Sequence, residues 1–249
     1  NTSLEIKMSF YIILFSFFFS YTFAQNNKQT AFSFDYNHQF PIGNLANVFG
    51  DNSSVGVSFM QQKEKNFFYG FQANYLFGDD VKDSTIFKNI QTSNGGILAA
   101  DGTYANINLF QRGFDGYILG GYAYHPNENS LSGIYFSAGI GFLQYKIFID
   151  TENQNIPQLS EEMKKGYDQL HNGISTKWDI SYRYYGDRNN FQFYVGTNLT
   201  AAYTQNKRSY SFSSNQYNDD LYQWDRLLGI NAGIIIPIQR KNDEKFHYY

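Results

Sequence analysis

The sequence predicts an all-β fold, a transmembrane antiparallel up-and-down β-barrel, on three observations. Runs of residues alternate between oily and polar side chains, which is the period of a strand with two different faces. The connections between runs are alternately short and long. Aromatic residues crowd beside the short ones. A soluble β-sandwich would explain the alternation, but neither the loop asymmetry nor the clustering.

The clearest pair of runs lies at Ile174 to Tyr203. Ile174, Thr176, Trp178, Ile180, Tyr182 and Tyr184 alternate with Ser175, Lys177, Asp179, Ser181, Arg183 and Tyr185, so one face is oily and the other charged. After the turn Gly186 to Asn190, Phe191, Phe193, Val195, Thr197 and Leu199 alternate with Gln192, Tyr194, Gly196, Asn198 and Thr200, completing a long hairpin.

From the other end of the chain, residues 25–29 are polar and precede the first strand, Ala31 to Phe40. Its Phe32, Phe34 and Tyr36 oppose Ser33, Asp35 and Asn37. Pro41-Ile42-Gly43 ends it, and Leu45, Ala46, Val48 and Phe49 have the spacing of one amphipathic helical turn. Val55, Val57 and Phe59 mark a second strand; Phe67 to Phe77, with Gln72 and Asn74 on its polar face, is the third.

Asp79 to Gly102 is a long polar connection. Phe114 to Tyr124 reads as the fourth strand, with Tyr104 to Phe110 a weaker extension before it. The fifth, Ile134 to Ile149, changes its oily parity near Gly141, from Ile134, Phe136 and Ile140 to Leu143, Tyr145 and Ile147. Such a one-residue change of face predicts a β-bulge. Thr151 to Asn172 is a second long connection, within which Ser160 to Lys165 resembles a short capped helix. Asn206 to Tyr222 is the third, and Trp224 to Ile238, with Asn231 on its polar side, closes the series. Eight strands fit this count better than ten, and an even number returns both ends to the same side.

Two functional groups of residues follow. Asp35, Gln72, Asn74, Lys177, Asp179, Arg183, Asn198 and Asn231 face the interior, where opposite charges are expected to pair and plug a lumen barely wide enough for its own side chains. Phe67, Phe68 and Tyr69, then Tyr122, Tyr124 and Tyr135, then Tyr182, Tyr184, Tyr185, Phe191 and Phe193 crowd beside the short turns as a girdle at one membrane interface.

Composition supports this reading. In 249 residues, aromatics make up 20%, with Tyr 22 and Phe 25, yet the mean hydropathy is -0.47. The formal net charge of -3 gives no basic footprint for nucleic acid. With Cys 0, disulfides and cysteine-ligated metals are excluded.

At the N-terminus, Phe10 to Phe19 is an apolar run preceded by Lys7 and followed by Thr22-Phe23-Ala24. It is too short for a comfortable span of the roughly 30 Å hydrocarbon core. Residues 1–24 therefore read as a cleaved signal peptide rather than a buried helix or anchor, with Met8 one possible start, and 25–249 as the barrel domain with a short charged tail.

Chemical signals are sparse. His38 falls on a strand, His125 by a short turn, His171 in the loop before the sixth strand and His247 in the tail. Asp168 and His171 are close in sequence, and Ser160 or Ser175 could supply a hydroxyl, but no motif spacing unites them. No phosphate loop or metal-ligand spacing occurs, so no catalytic, cofactor or metal residue is assigned. Asp79-Asp80 and Asn218-Asp219-Asp220 could hold cations at the outer surface, although loop solubility explains them as well. Gly166 to Gly173 reads as a turn into the sixth strand that could also fold over the barrel mouth or meet a partner.

The Phe-Ala-Gln end of the signal segment, the Asn- and Tyr-rich strands, Pro41-x-Gly43-Asn44 and terminal Tyr248-Tyr249 resemble outer-membrane β-barrel proteins of Bacteroidota, of the eight-stranded OmpA/OmpX-like type. The resemblance implies location and fold but no reaction. The charged tail after Ile238 departs from the terminal aromatic of many such barrels.

The expected function is thus a non-enzymatic integral outer-membrane protein, with short periplasmic turns and long extracellular loops. Outer-membrane lipid or lipopolysaccharide and envelope proteins are its expected partners, through those loops or within a secretion or gliding assembly. Porin-like passage of small or hydrophobic solutes is the alternative. A lipid-modifying enzyme or protease is a third.

Overall fold

In a computed structural model, described for residues 29–63, 66–83, 85–126, 130–186, 191–218 and 222–238, the chain is a closed antiparallel barrel. The segment 1–24 expected to be a signal peptide, Asp219, Asp220 and the tail with His247 lie outside the described residues. Strands β1 (Thr30–Ile42), β2 (Asn52–Gln62), β3 (Phe67–Gly78), β4 (Asn108–Tyr124), β5 (Gly133–Asp150) and β6 (His171–Tyr184) each pair with the next in sequence, ending at β7 (Phe193–Asn206). A small hairpin, β8 (Tyr210–Ser211) with β9 (Gln216–Tyr217), stands outside the ring. Strand β10 (Tyr222–Ile238) then pairs with both β7 and β1, so no edge is left open.

Alternation sets which residues face where. On β1, Ala31, Ser33, Asp35, Asn37 and Gln39 are buried inside while Phe32, Phe34 and Tyr36 are exposed outside. Ile118, Ile140, Trp178, Ile180, Ile230 and Ile234 share that exposed exterior. An oily outside around a polar inside is the arrangement of a transmembrane barrel, because lipid rather than water bathes the outer face. Among the described residues no helix is long and apolar enough to cross a membrane; here the strands cross.

Strand β5 corrects one expectation. Its register with β4 runs unbroken from Tyr124↔Ile134 to Asn108↔Asp150, and its register with β6 is equally continuous, so there is no bulge at Gly141. The parity of the strand never changes. What changes is its surroundings: Ile134, Phe136 and Ile140 are oily because they face outward, whereas Leu143, Tyr145, Ile147 and Ile149 are oily because the inward face, at this end, packs beneath a cap of loops.

That cap forms at the long-loop end. The connection after β1 contains one helical turn, α1 (Leu45–Val48), entered through Gly43 at φ 71, a left-handed conformation that glycine adopts without steric cost. The expected helix at Ser160 to Lys165 is instead a 3₁₀ turn at Met163–Gly166, preceded by another at Pro157–Leu159. The Ser160 hydroxyl accepts a hydrogen bond from the Met163 backbone at 3.4 Å. Of the extension before the fourth strand, Asn108 to Phe110 belongs to β4, while Tyr104 forms an isolated bridge with Leu98.

Candidate functional site

The inward side chains divide the lumen into three levels. The middle level is polar, and it contains all the interior residues expected from the sequence except Arg183. Lys177 donates to Gln72 at 3.0 Å, and Gln72 donates in turn to Asp35 at 3.2 Å. Asn74 donates to Asp115, Asn231 donates to Asp179 at 2.7 Å, and Asn198 donates to Asn37 at 3.0 Å. The Lys177 ammonium also lies 5.4 Å from the centre of the Tyr117 ring.

Direct pairing of opposite charges, expected for this interior, does not occur. Among the described residues the ion pairs are His38–Asp51, Lys164–Glu161 and Arg208–Asp168, all outside the lumen belt. The amide of Gln72 stands between Asp35 and Lys177, while Asn74 and Asn231 donate to Asp115 and Asp179. Gln72 on β3 meets Asp35 of β1 and Lys177 of β6 across the closed ring and satisfies both ions with one amide.

Arg183 belongs to the level below, at the short-turn end. Its guanidinium carbon is 4.8 Å from the Tyr135 ring centre, 5.1 Å from Tyr194 and 5.8 Å from Phe68, and it donates to the Met60 sulfur at 3.1 Å. The planar cation is thus held by aromatic faces rather than by an acid. Gly233 makes room for this arrangement, since a Cβ there would run into the Tyr194 ring.

The cage corrects the girdle. Phe67, Tyr69, Tyr122, Tyr124, Tyr182, Tyr184, Phe191 and Phe193 are exposed on the outer surface, but Tyr135 is 0% exposed and Phe68 5%; both point inward. Tyr185 packs on Tyr135 with ring centres 6.2 Å apart. Nearness to a short turn drew these rings into one group; strand parity separates them.

The upper level is the cap. Ile86, Phe87 and Ile97 from one connection and Ile156, Leu159 and Tyr167 from another pack with Leu45 and Phe49 onto the inward rim residues Leu76, Leu143, Ile147 and Leu227. Backbone hydrogen bonds tie the connections together: Gly50 N–H to the Asp80 carbonyl (2.8 Å), Ala100 N–H to Asn155 (2.8 Å), Lys207 N–H to Leu170 (2.7 Å) and Phe212 N–H to Gly166 (2.9 Å).

The Gly166 to Gly173 patch sits in this cap. Tyr167 contacts the rings of Phe87 and Phe212 at 5.4 and 5.3 Å, and burial raises its phenol pKa. Asp168 receives one edge of the Arg208 guanidinium, Nε at 2.8 Å and one terminal nitrogen each donating to a carboxylate oxygen. That hydrogen bond pushes the Arg208 pKa further up.

His171 lies apart from Asp168: its ring stacks on Tyr145 at 5.3 Å and its Nδ1 is 2.8 Å from the Gln169 carbonyl oxygen. Ser175 is hydrogen-bonded to Tyr117 at 2.9 Å and Ser160 caps its own turn. The structure therefore does not bring the hydroxyl, imidazole and acid together. Among the described residues no group of three or more His, Cys, Asp or Glu is placed to hold a metal ion.

Sequence reasoning missed the cap core and the cage. The cap residues lie in connections with no periodicity to mark them. The cage had a signal: Phe68, Tyr135, Arg183 and Tyr194 all fall on the polar parity of their strands.

Space in the lumen is correspondingly small. A cavity beside Lys177, Asp179, Arg183 and Asn231 has a volume of about 30 Å³, room for about two water molecules.

Fold and lumen together define a small, internally filled, eight-stranded transmembrane barrel. Among solved structures the chain is similar to Neisserial surface protein A, NspA (10% identity, 85% of this chain and 99% of that chain, TM-score 0.44). It is also similar to Ail, the attachment invasion locus protein of Yersinia pestis (8%, 85% and 100%, TM-score 0.42), and to OprG from Pseudomonas aeruginosa (10%, 84% and 94%, TM-score 0.33). At these identities the likeness is one of fold alone. No family model and no curated protein matches the chain.

Proposed function

We propose that the chain is an integral outer-membrane protein, exported by its N-terminal segment, that acts without catalysis through its folded extracellular cap. The cap is either a surface for envelope partners or a docking element within a larger envelope assembly. The carrying observation is the contrast between a lumen filled by hydrogen-bonded side chains and a cap built from all the long connections. A filled eight-stranded barrel offers little room for a solute path, so recognition falls to the part that reaches beyond the bilayer.

In this orientation the turns near Phe67, Tyr124 and Tyr184 are periplasmic. The Asp168 carboxylate is taken by Arg208 and the His171 ring by Tyr145 and the Gln169 carbonyl, which supports a non-enzymatic role, and the resemblance to Bacteroidota barrels supports an envelope one. Cross-linking on intact cells followed by affinity isolation tests the proposal. A chain lacking the connections 79–107, 151–170 and 207–221 should remain membrane-inserted yet lose its cross-linked partners. Retention of every partner by that variant would sink the reading.

A further inference from the structure

The outward face of the β4–β5 hairpin records where a bilayer ends. From the short turn upward its outward pairs are Tyr122 with Phe136, Gly120 with Ala138, Ile118 with Ile140, Gly116 with Phe142, and Phe114 with the half-buried Gln144; the next is Arg112 with Lys146, and Phe110 with Phe148 follows above it. At about 3.3 Å per residue and a tilt of about 40°, Tyr124 and Arg112 lie roughly 30 Å apart along the barrel axis. This is the thickness of a hydrocarbon core. Lys146 therefore stands at the level of the outer headgroups.

Above it, the 3₁₀ turn Met163–Gly166 overhangs the strand, and between the two lies a groove of about 580 Å³ lined by Lys146, Lys164, Lys165 and Arg208. Arg208 is taken by Asp168 and Lys164 by Glu161, at 2.8 Å. Lys146 and Lys165 have no carboxylate within ion-pair distance among the described residues, although Asp150 also lines the groove. The exposed Glu161 carboxyl already reports the field: it is held below its ordinary value by the hydrogen bond and charge of Lys164, and further by Lys146 and Lys165.

We propose that this groove binds the phosphoryl headgroup of an outer-leaflet lipid, with Lys146 and Lys165 as its cationic ligands and the acyl chains lying below over Phe142 and Phe114. The site rests on the outer-membrane reading, because only a bilayer brings a phosphate to this level with chains pointing toward the apolar band. A lipid phosphate gains attraction from both lysines and keeps its chains in hydrocarbon, whereas free phosphate gains only the first.

The test uses the full chain purified in neutral detergent and titrated with micelles of diphosphorylated lipid A. The variant K146Q/K165Q should bind roughly twenty-fold more weakly, K146R/K165R should retain affinity, and dephosphorylated lipid A should bind the unaltered chain as weakly as the glutamine variant binds the phosphorylated form. Equal affinity of K146Q/K165Q and the unaltered chain would overturn the proposal. So would equal binding of dephosphorylated lipid, or displacement by inorganic phosphate at the lipid's own concentration. Heat-modifiable migration confirms that each variant is folded. A chain soluble without detergent sinks the membrane reading itself; a heat-modifiable barrel whose glutamine variant keeps its affinity sinks the lipid site alone.

Discussion

Arg208 grips Asp168 across two separate connections, its Nε and one terminal nitrogen donating to the two carboxylate oxygens, with Nε at 2.8 Å. Asp168 is 5% exposed, so the pair is largely withdrawn from water on the acid's side. R208A should leave a buried carboxylate without its donors and destabilise the cap by about 2–3 kcal/mol. Faster limited proteolysis of the connections in detergent, with the barrel still heat-modifiable, is the expected result; unchanged cleavage would refute the clamp.

The lipid-facing surface gives a sharp test of environment. Ile140 is 68% exposed near the middle of the apolar band. In a bilayer, I140R should cost about 2–4 kcal/mol of folding free energy, whereas in water an exposed Ile to Arg change is nearly neutral. Denaturant unfolding in lipid vesicles measures the difference.

Interior amides should prove as important as interior charges. Gln72 accepts from Lys177 and donates to Asp35, so Q72L strands both ions and should destabilise by at least about 2 kcal/mol. Adding K177M and D35N to Q72L should recover part of that loss, because an apolar or neutral set needs no bridge. A triple variant no more stable than Q72L alone would show that the bridge carries no energy.

Arg183 should resist conservative replacement. Its planar group meets Tyr135 and Tyr194 at 4.8 and 5.1 Å, a fit that a lysine ammonium does not reproduce. R183K should therefore lose stability, by about 1–2 kcal/mol, and should fall close to R183M in a detergent unfolding series rather than close to the unaltered chain.

In planar bilayers the full chain should show no stable conductance, and neither should the variant without its long connections. The Lys177, Gln72 and Asp35 set belongs to the strands and remains after loop removal. Steady openings in the shortened chain alone would mean that the cap, and not the strand interior, is the seal.

The strands were legible in the sequence because lipid outside and polar groups inside make every pair of neighbours differ, as at Phe34 and Asp35. The same rule misled where the polar interior gives way to the cap. Leu143 and Ile147 are oily on the inward parity, and the sequence alone cannot distinguish a change of neighbour from a change of face. Tyr135 and Phe68 show a related limit, since crowding beside a turn says nothing about which side of the wall a ring occupies. The amide bridges escaped for a different reason: Gln72 on β3 and Lys177 on β6 meet only through the closed ring, at a sequence separation of 105.

The cap core also bears on the order of assembly. Leu45 follows β1 and Leu227 lies on β10, and both are buried in the same apolar cluster. The hairpins between them can zip locally, but this cluster gathers its full membership once the first and last strands meet, the contact with the greatest chain entropy to overcome. Burial of Tyr167 or Phe87 would then be a late event in folding. A spectroscopic probe placed there would time the closing of the ring rather than the insertion of its hairpins.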